Sequence, residues 1–123
     1  AFEALCFRHI EQIKKALGIS GVYIETSSYR HIGSKQSEGF QIDLLLDRKD
    51  KTVNLCECKY YDGPLTITKD YAQTLLNRKS LFKQATGSRK TIFNTMLTNF
   101  PIKTGDYASS ADDNNITLDM LFE

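Results

Sequence analysis

No apolar run in this sequence approaches the length needed to span a membrane, and its first residues lack a signal-peptide pattern. Membrane insertion through helices is therefore not expected. Excess charge of one sign is lacking as well. Sixteen Lys and Arg against fifteen Asp and Glu leave a net charge of +1, so no global electrostatic pull towards a polyanion exists. Only three cysteines occur, Cys6, Cys56 and Cys58. An odd count, two of them alternating along an expected strand, excludes a disulfide framework and points to a reducing, cytoplasmic setting. Cys56-Glu57-Cys58 is not a usual zinc spacing and has no second Cys/His pair to complete it, so small buried hydrophobes are the better reading. Internal repeats and low-complexity tracts are also missing.

What is present is ordinary for one globular domain. The chain has 123 residues, 41% of them hydrophobic and 25% charged, enough to bury a core without staples. It starts at Ala1, without methionine and already inside a helical pattern, which suggests a domain taken from a longer polypeptide. Residues 1–17 place Phe2, Leu5, Cys6, His9, Ile10, Ile13, Ala16 and Leu17 on one helical stripe, closed by Gly18. His9 on that stripe reads as a packed, hydrogen-bonded residue at the core's edge rather than a ligand.

Residues 22–30, "VYIETSSYR", read as a strand, and "HIGSKQSEG" as a polar loop. Strands at 40–46 and 53–60 follow, joined by the turn-like "DRKDKT". A helix is predicted from about Thr68 to Thr86, ending near Gly87, and another strand over "KTIFNTMLT". The segment after Pro101 reads as a loop, and the terminal "ITLDMLF" as a short strand or a helical turn. This order predicts an α/β domain whose mixed central sheet is flanked by helices on both faces.

Charges interrupt the apolar hairpin strands at Asp43, Glu57 and Lys59. Alternation along a strand places Gln41, Asp43 and Leu45 on one face, and Glu57 with Lys59 on one face of its partner. A turn centred near residue 50 sets Asp43 opposite Glu57, so the three charges converge. Two facing carboxylates repel unless a proton or a cation lies between them. Hard divalent cations, Mg²⁺ or Mn²⁺, take carboxylates, backbone carbonyls, water and phosphate oxygens, and the Cys58 carbonyl is a further candidate ligand. Lys59 beside such a site could orient a water or stabilise charge on a transferring phosphoryl group. In outline this is a metal-assisted phosphodiester hydrolysis site. The competing reading is a cross-strand salt bridge of Lys59 with Asp43 or Glu57 at the sheet's edge.

These residues resemble the PD-(D/E)XK nuclease superfamily, with "QID" at 41–43 and "ECK" at 57–59 in its motif positions. The resemblance implies the restriction-endonuclease-like α-β-β-β-α-β core, here over residues 1 to about 98. More closely, "AFEALCFRHIEQIKKALGI", "GFQIDLLLDRKDKTVNLCECKY", "YAQTLLNRKSLF" and "ITLDMLF" are similar to a nuclease-like C-terminal domain that follows the ATPase module in a group of prokaryotic AAA-type ATP-binding proteins. That implies one domain over 1–123 and an N-terminal ATPase partner. Asp43 and Glu57 would be metal ligands and Lys59 the catalytic lysine. Glu3 stands where family members often add a first-helix glutamate, or it is a first-turn acid suited to the helix dipole. Ile42 replaces the superfamily's namesake proline.

Nucleic acid, DNA foremost, is the implied substrate. Gln41, Tyr71 and Gln73 would contact it, although Tyr71 is also placed to pack on the sheet. Between Lys69 and Lys90 the basic residues Lys69, Arg78, Lys79, Lys83, Arg89 and Lys90 face only Asp70, and Lys79 or Lys83 could touch the phosphate backbone. A solvated helix face explains the same surplus. A homodimer would let two copies cut both strands. The alternative function is a silent module that binds nucleic acid or protein without cutting, or that serves only to regulate or assemble the ATPase.

Overall fold

The computed structural model describes residues 2–122. Two short helices, α1 (Phe2–Phe7) and α2 (Ile10–Ala16), stand where one helix was expected. His9 divides them. Its Nδ1 donates to the Leu5 carbonyl at 2.7 Å, the acceptor that the His9 backbone would use in a continuous helix. The His9 N–H turns instead to Cys6 O at 3.0 Å, a tighter i→i−3 bond. The ring itself is half-buried and stands edge-on to Phe122, as expected of a packed core-edge histidine.

Three antiparallel strands follow: β1 (Ile24–His31), β2 (Phe40–Arg48) and β3 (Thr52–Lys59). The β2–β3 turn passes through Lys51 in the left-handed region, φ 64°. In the β1–β2 loop Gly33 and Gly39 approach so closely that a Cβ on Gly39 would lie 2.8 Å from the Gly33 nitrogen. Helix α3 (Lys69–Thr86) begins at Thr68, whose hydroxyl accepts from the Tyr71 N–H, and ends at Gly87 with φ 65°. It carries the chain across to β4 (Thr91–Thr98), which pairs parallel with β3.

Two differences lie beyond β4. The expected loop contains α4 (Asp106–Ala111), and "ITLDMLF" supplies the end of β5 (Asn114–Thr117) followed by α5 (Leu118–Leu121). β5 adds parallel to β4, completing a five-stranded mixed sheet in the order β1-β2-β3-β4-β5. The α/β architecture with helices on both faces is thus present. No helix among the described residues is long and apolar enough to cross a membrane.

One face packs under α1, α2 and α5 around Cys6, Ile13, Leu44, Leu46, Cys56 and Leu97. The other packs under α3 and α4 around Ile42, Val53, Leu55 and Phe82, and around Leu75, Met96 and Ala111. All three cysteines are buried free thiols. Side-chain hydrogen bonds link polar groups of the central strands: Arg48 donates to Asn54 Oδ1, and Asn54 Nδ2 to Thr95 Oγ1.

Leu44 and Ile42 belong to opposite faces, although strict alternation would put them together. The cause is a β-bulge. Ser27 faces Leu45 while Tyr29 faces Ile42, so β2 spends one more residue than β1 over this step, at Asp43–Leu44 opposite Ser28. The expectation that Gln41, Asp43 and Leu45 share one face is corrected accordingly. Ile42 packs with Leu45, Gln41 is exposed, and Asp43 sits at the point where the parity changes.

Candidate functional site

The β2–β3 ladder pairs Asp47 with Val53, Leu46 with Asn54, Leu45 with Leu55 and Leu44 with Cys56. One more step would set Asp43 against Glu57, the register anticipated from the turn. The ladder ends before that step. Asp43 Oδ2 instead accepts the Cys58 backbone N–H at 3.0 Å, so a carboxylate takes the place of a strand carbonyl. The bulge therefore leaves an acid side chain bridging two strands where they part. The Cys58 thiol lies in the core beneath α1, so only its backbone belongs to this site.

Glu57 projects towards α3. Its Oε2 accepts from Arg78 Nη1 in a short, charge-assisted bond, and the same nitrogen donates to the Gln41 carbonyl at 3.2 Å. Glu57 Oε1 makes no hydrogen bond among the described residues and stands 3.5 Å from Lys59 Nζ. Burial raises the Glu57 carboxyl above the usual range. Arg78 pulls it back most strongly, Asp43 pushes it further up, and Lys59 opposes. Lys59 Nζ lies 5.9 Å from the centre of the Tyr71 ring, a cation–π contact worth roughly 0.5–1 kcal/mol. The Tyr71 hydroxyl is buried with no hydrogen-bond partner among the described residues, and burial with Glu57's charge holds its phenol protonated well above the ordinary value.

Asp43, Glu57, Lys59, Tyr71 and the Cys58 backbone are thus brought together, with the Gln41 carbonyl at their edge. The other candidates are not. Glu3 is exposed on α1, on the opposite side of the sheet from the Glu57 side chain. Gln73 is exposed on α3 and donates to Asn77. Lys79 is paired with Asp113 at 2.7 Å, and Lys83 lies exposed in the last turn of α3.

No protein-family model matches this chain, and no curated protein sequence matches it. Its fold has a solved counterpart. A crystal structure of a protein of unknown function, AF1548, is similar with a TM-score of 0.61 over 95% of this chain, at 16% identity. The chain spans 64% of that protein's length. At this identity the likeness concerns the fold alone.

Arg78 is the residue that sequence reasoning placed only in a basic surplus. Its position was readable: Leu75, Arg78 and Phe82 share one helical stripe, and all three are buried. A basic residue on an apolar stripe calls for an acid beneath it, and Glu57 is that acid.

The donors suit Mg²⁺ or Mn²⁺ in kind. Asp43 Oδ1 and Glu57 Oε1 are hard carboxylate oxygens without hydrogen bonds among the described residues, the latter ion-paired with Lys59, and each is on a carboxylate whose other oxygen is already held. No group of three or more His, Cys, Asp or Glu side chains that could hold a metal occurs among the described residues. A cation here would take its remaining ligands from backbone carbonyls such as that of Cys58, water and substrate oxygens.

Proposed function

We propose that this chain is a divalent-metal-dependent nuclease domain that hydrolyses phosphodiester bonds of nucleic acid, DNA foremost, at Asp43, Glu57 and Lys59. The carrying observation is Glu57 itself. One oxygen is fixed by Arg78, while the other is without a hydrogen bond beside Lys59 and one strand from Asp43.

In this reading Asp43 and Glu57 hold Mg²⁺ or Mn²⁺. The ion supplies charge neutralisation on the phosphoryl oxygens and a more acidic water. The chain supplies the rest. Asp43 is oriented by the Cys58 N–H, and Glu57 by Arg78, so each presents one oxygen without reorganising its backbone. Lys59, one-third exposed, places a cation where charge builds on the transferring group. Tyr71 beneath it limits where the ammonium can lie. The free buried thiols favour a reducing cytoplasm. Attachment to an N-terminal AAA-type ATPase follows from the resemblance of the sequence segments alone.

A second reading has its own support. Arg78 already compensates Glu57, so the acid is satisfied without a metal. A silent module that binds nucleic acid or a regulatory partner would keep this pair as structure. The two readings separate on incubation of the chain with plasmid and with single-stranded DNA, with and without Mn²⁺. Mn²⁺-dependent cleavage lost in Asp43→Ala and Lys59→Ala supports the nuclease. Cleavage that survives both substitutions overturns the site, and binding without cleavage selects the silent module.

A further inference from the structure

The guanidinium that holds Glu57 is only partly used. Arg78 Nη1 serves both the Glu57 carboxylate and the Gln41 carbonyl. Its Nε and Nη2 are buried and have no hydrogen-bond partner among the described residues. Arg78 is 8% exposed, so two donors of a full cation are enclosed without an acceptor, a costly arrangement. These two form one edge of the planar group. Nε–H and the nearer Nη2–H lie parallel there, the fork that takes two oxygens of a single oxyanion. Arg78 also lines a cavity of about 210 Å³ between α3 and the start of β2. Phe40 and Leu81 supply apolar wall, and Gln41 and Asn77 supply amides. Asn77 Oδ1 accepts from Gln73 Nε2 at 3.0 Å, which leaves the amide nitrogen as the group Asn77 can offer. Glu38, the one acid of the lining, is exposed on the β1–β2 loop, where solvent screens it. The cavity adjoins the candidate acids directly, because Arg78 and Gln41 belong to both places.

A donor fork flanked by amides selects an anion with two oxygens on one atom, a phosphodiester or a carboxylate. Position decides between them. Nucleic acid carries a phosphate at every nucleotide, so a strand with one phosphate at Asp43 and Glu57 brings the next towards a group bonded to Glu57. A protein carboxylate has no such tether to draw it towards two other acids, which repel it. We infer that the Arg78 fork is a phosphate subsite, taking two oxygens of a strand phosphate adjacent to the one at Asp43 and Glu57. Gln41 and Asn77 at its rim are exposed, so side-chain rotation is enough to open it. Arg78 then positions Glu57 through Nη1 and holds the strand through Nε and Nη2, coupling the seat of the substrate to the aim of the acid. This rests on the reading of the acid site as one for nucleic acid.

The test reads the fork itself, in EDTA and apart from cleavage. Arginine Nε–H resonances are followed by proton–nitrogen NMR, with that of Arg78 assigned by its loss in Arg78→Lys. Inorganic phosphate and, separately, a short oligothymidylate are each expected to move it downfield, as an N–H moves on gaining a charged acceptor. Fluorescence anisotropy of the labelled oligothymidylate gives the strand's affinity. Asn77→Asp keeps the acceptor for Gln73 and sets a carboxylate beside the fork. It should weaken the strand about tenfold and abolish the Arg78 shift, and as an exposed substitution it should leave the fold intact. Ser80→Asp adds the same charge at an exposed position of α3 outside the cavity lining, and should cost far less.

An Arg78 resonance that stays still while the strand binds overturns the subsite and leaves the nuclease reading standing. Equal losses from Asn77→Asp and Ser80→Asp mark a diffuse charge effect and overturn it too. A shift with acetate but with neither phosphate nor strand identifies a carboxylate of a protein partner as the occupant. A shift with phosphate alone makes the fork a site for the free ion. Either result, or no shift with any of these ligands, rejects the strand subsite. A shift with phosphate and strand but no Mn²⁺-dependent cleavage keeps the subsite and rejects the nuclease.

Discussion

The ion pair between Arg78 and Glu57 is the most enclosed among the described residues, with 10% and 13% of the two side chains exposed. It ties α3 to β3, and through the Gln41 carbonyl the same nitrogen reaches β2. The two strands that carry the acids are therefore gripped by one guanidinium from the covering helix.

Removing Arg78 should be felt in folding before catalysis. Arg78→Met leaves a buried carboxylate with Lys59 alone and lowers stability by about 3–5 kcal/mol. Adding Glu57→Gln to that variant should return most of the loss, because neither charge is then stranded. Urea unfolding of the two single variants and the double variant checks the coupling. Strictly additive effects would contradict it.

Lys59→Met addresses the chemistry alone. Its side chain is one-third exposed, so the fold should persist. Cleavage in Mn²⁺ is expected to fall by about 10²–10³-fold, as for removal of one transition-state donor. Mn²⁺ affinity read by electron paramagnetic resonance should hold or rise, since a positive charge beside Glu57 is gone. Loss of Mn²⁺ binding would instead make Lys59 a structural support of the acids.

Asp112 predicts a pH dependence away from the site. Burial raises its carboxyl from 3.8 to about 7, and Oδ1 has no hydrogen-bond partner among the described residues. The folded state therefore holds a proton that the unfolded state has released. Stability from this group falls as pH rises through the window between those two values, and the loss is complete above about 7. Asp112→Asn should flatten that slope and exceed wild type in stability at pH values above the window. Urea midpoints across the range provide the measurement, and an unchanged slope would rule the assignment out.

Gly39→Ala tests the loop that delivers β2 to the site. The added methyl would meet the Gly33 backbone at 2.8 Å, and backbone cannot swing aside as a side chain can. A loss of about 1–3 kcal/mol is expected, as for overpacking. Thermal unfolding measures it, and a wild-type midpoint would show that the loop yields freely.

Much of this was legible before any coordinates. The hairpin register followed from turn position and apolar alternation, and α3 from Thr68 and Gly87, because those signals are local. The bulge was hidden. Ile42 and Leu44 flank Asp43 with equivalent apolar residues, and their assignment to opposite faces depends on how β1 pairs, a distant partner. The break at His9 arises from competition between a ring nitrogen and a backbone N–H for one carbonyl, which periodicity does not register. Helix α4 is too short for a period of its own, and it is held by burial of Ala108 and Ala111 against the α3 side. Arg78 was visible as a charge, but its burial depended on finding Glu57 beneath it.

Ile42 and Leu44 are both wholly enclosed, one in each core. Asp43 is consequently pinned by its two chain neighbours from opposite sides of the sheet, as a rivet is held by its two heads. Sliding the acid along or across the strand would have to pull a side chain out of one core or the other. Whatever ligand arrives, accommodation at Asp43 is confined to rotation about its side-chain bonds. Mutations that loosen either core, even far from the acids, should thus register at this one position as a loss of aim.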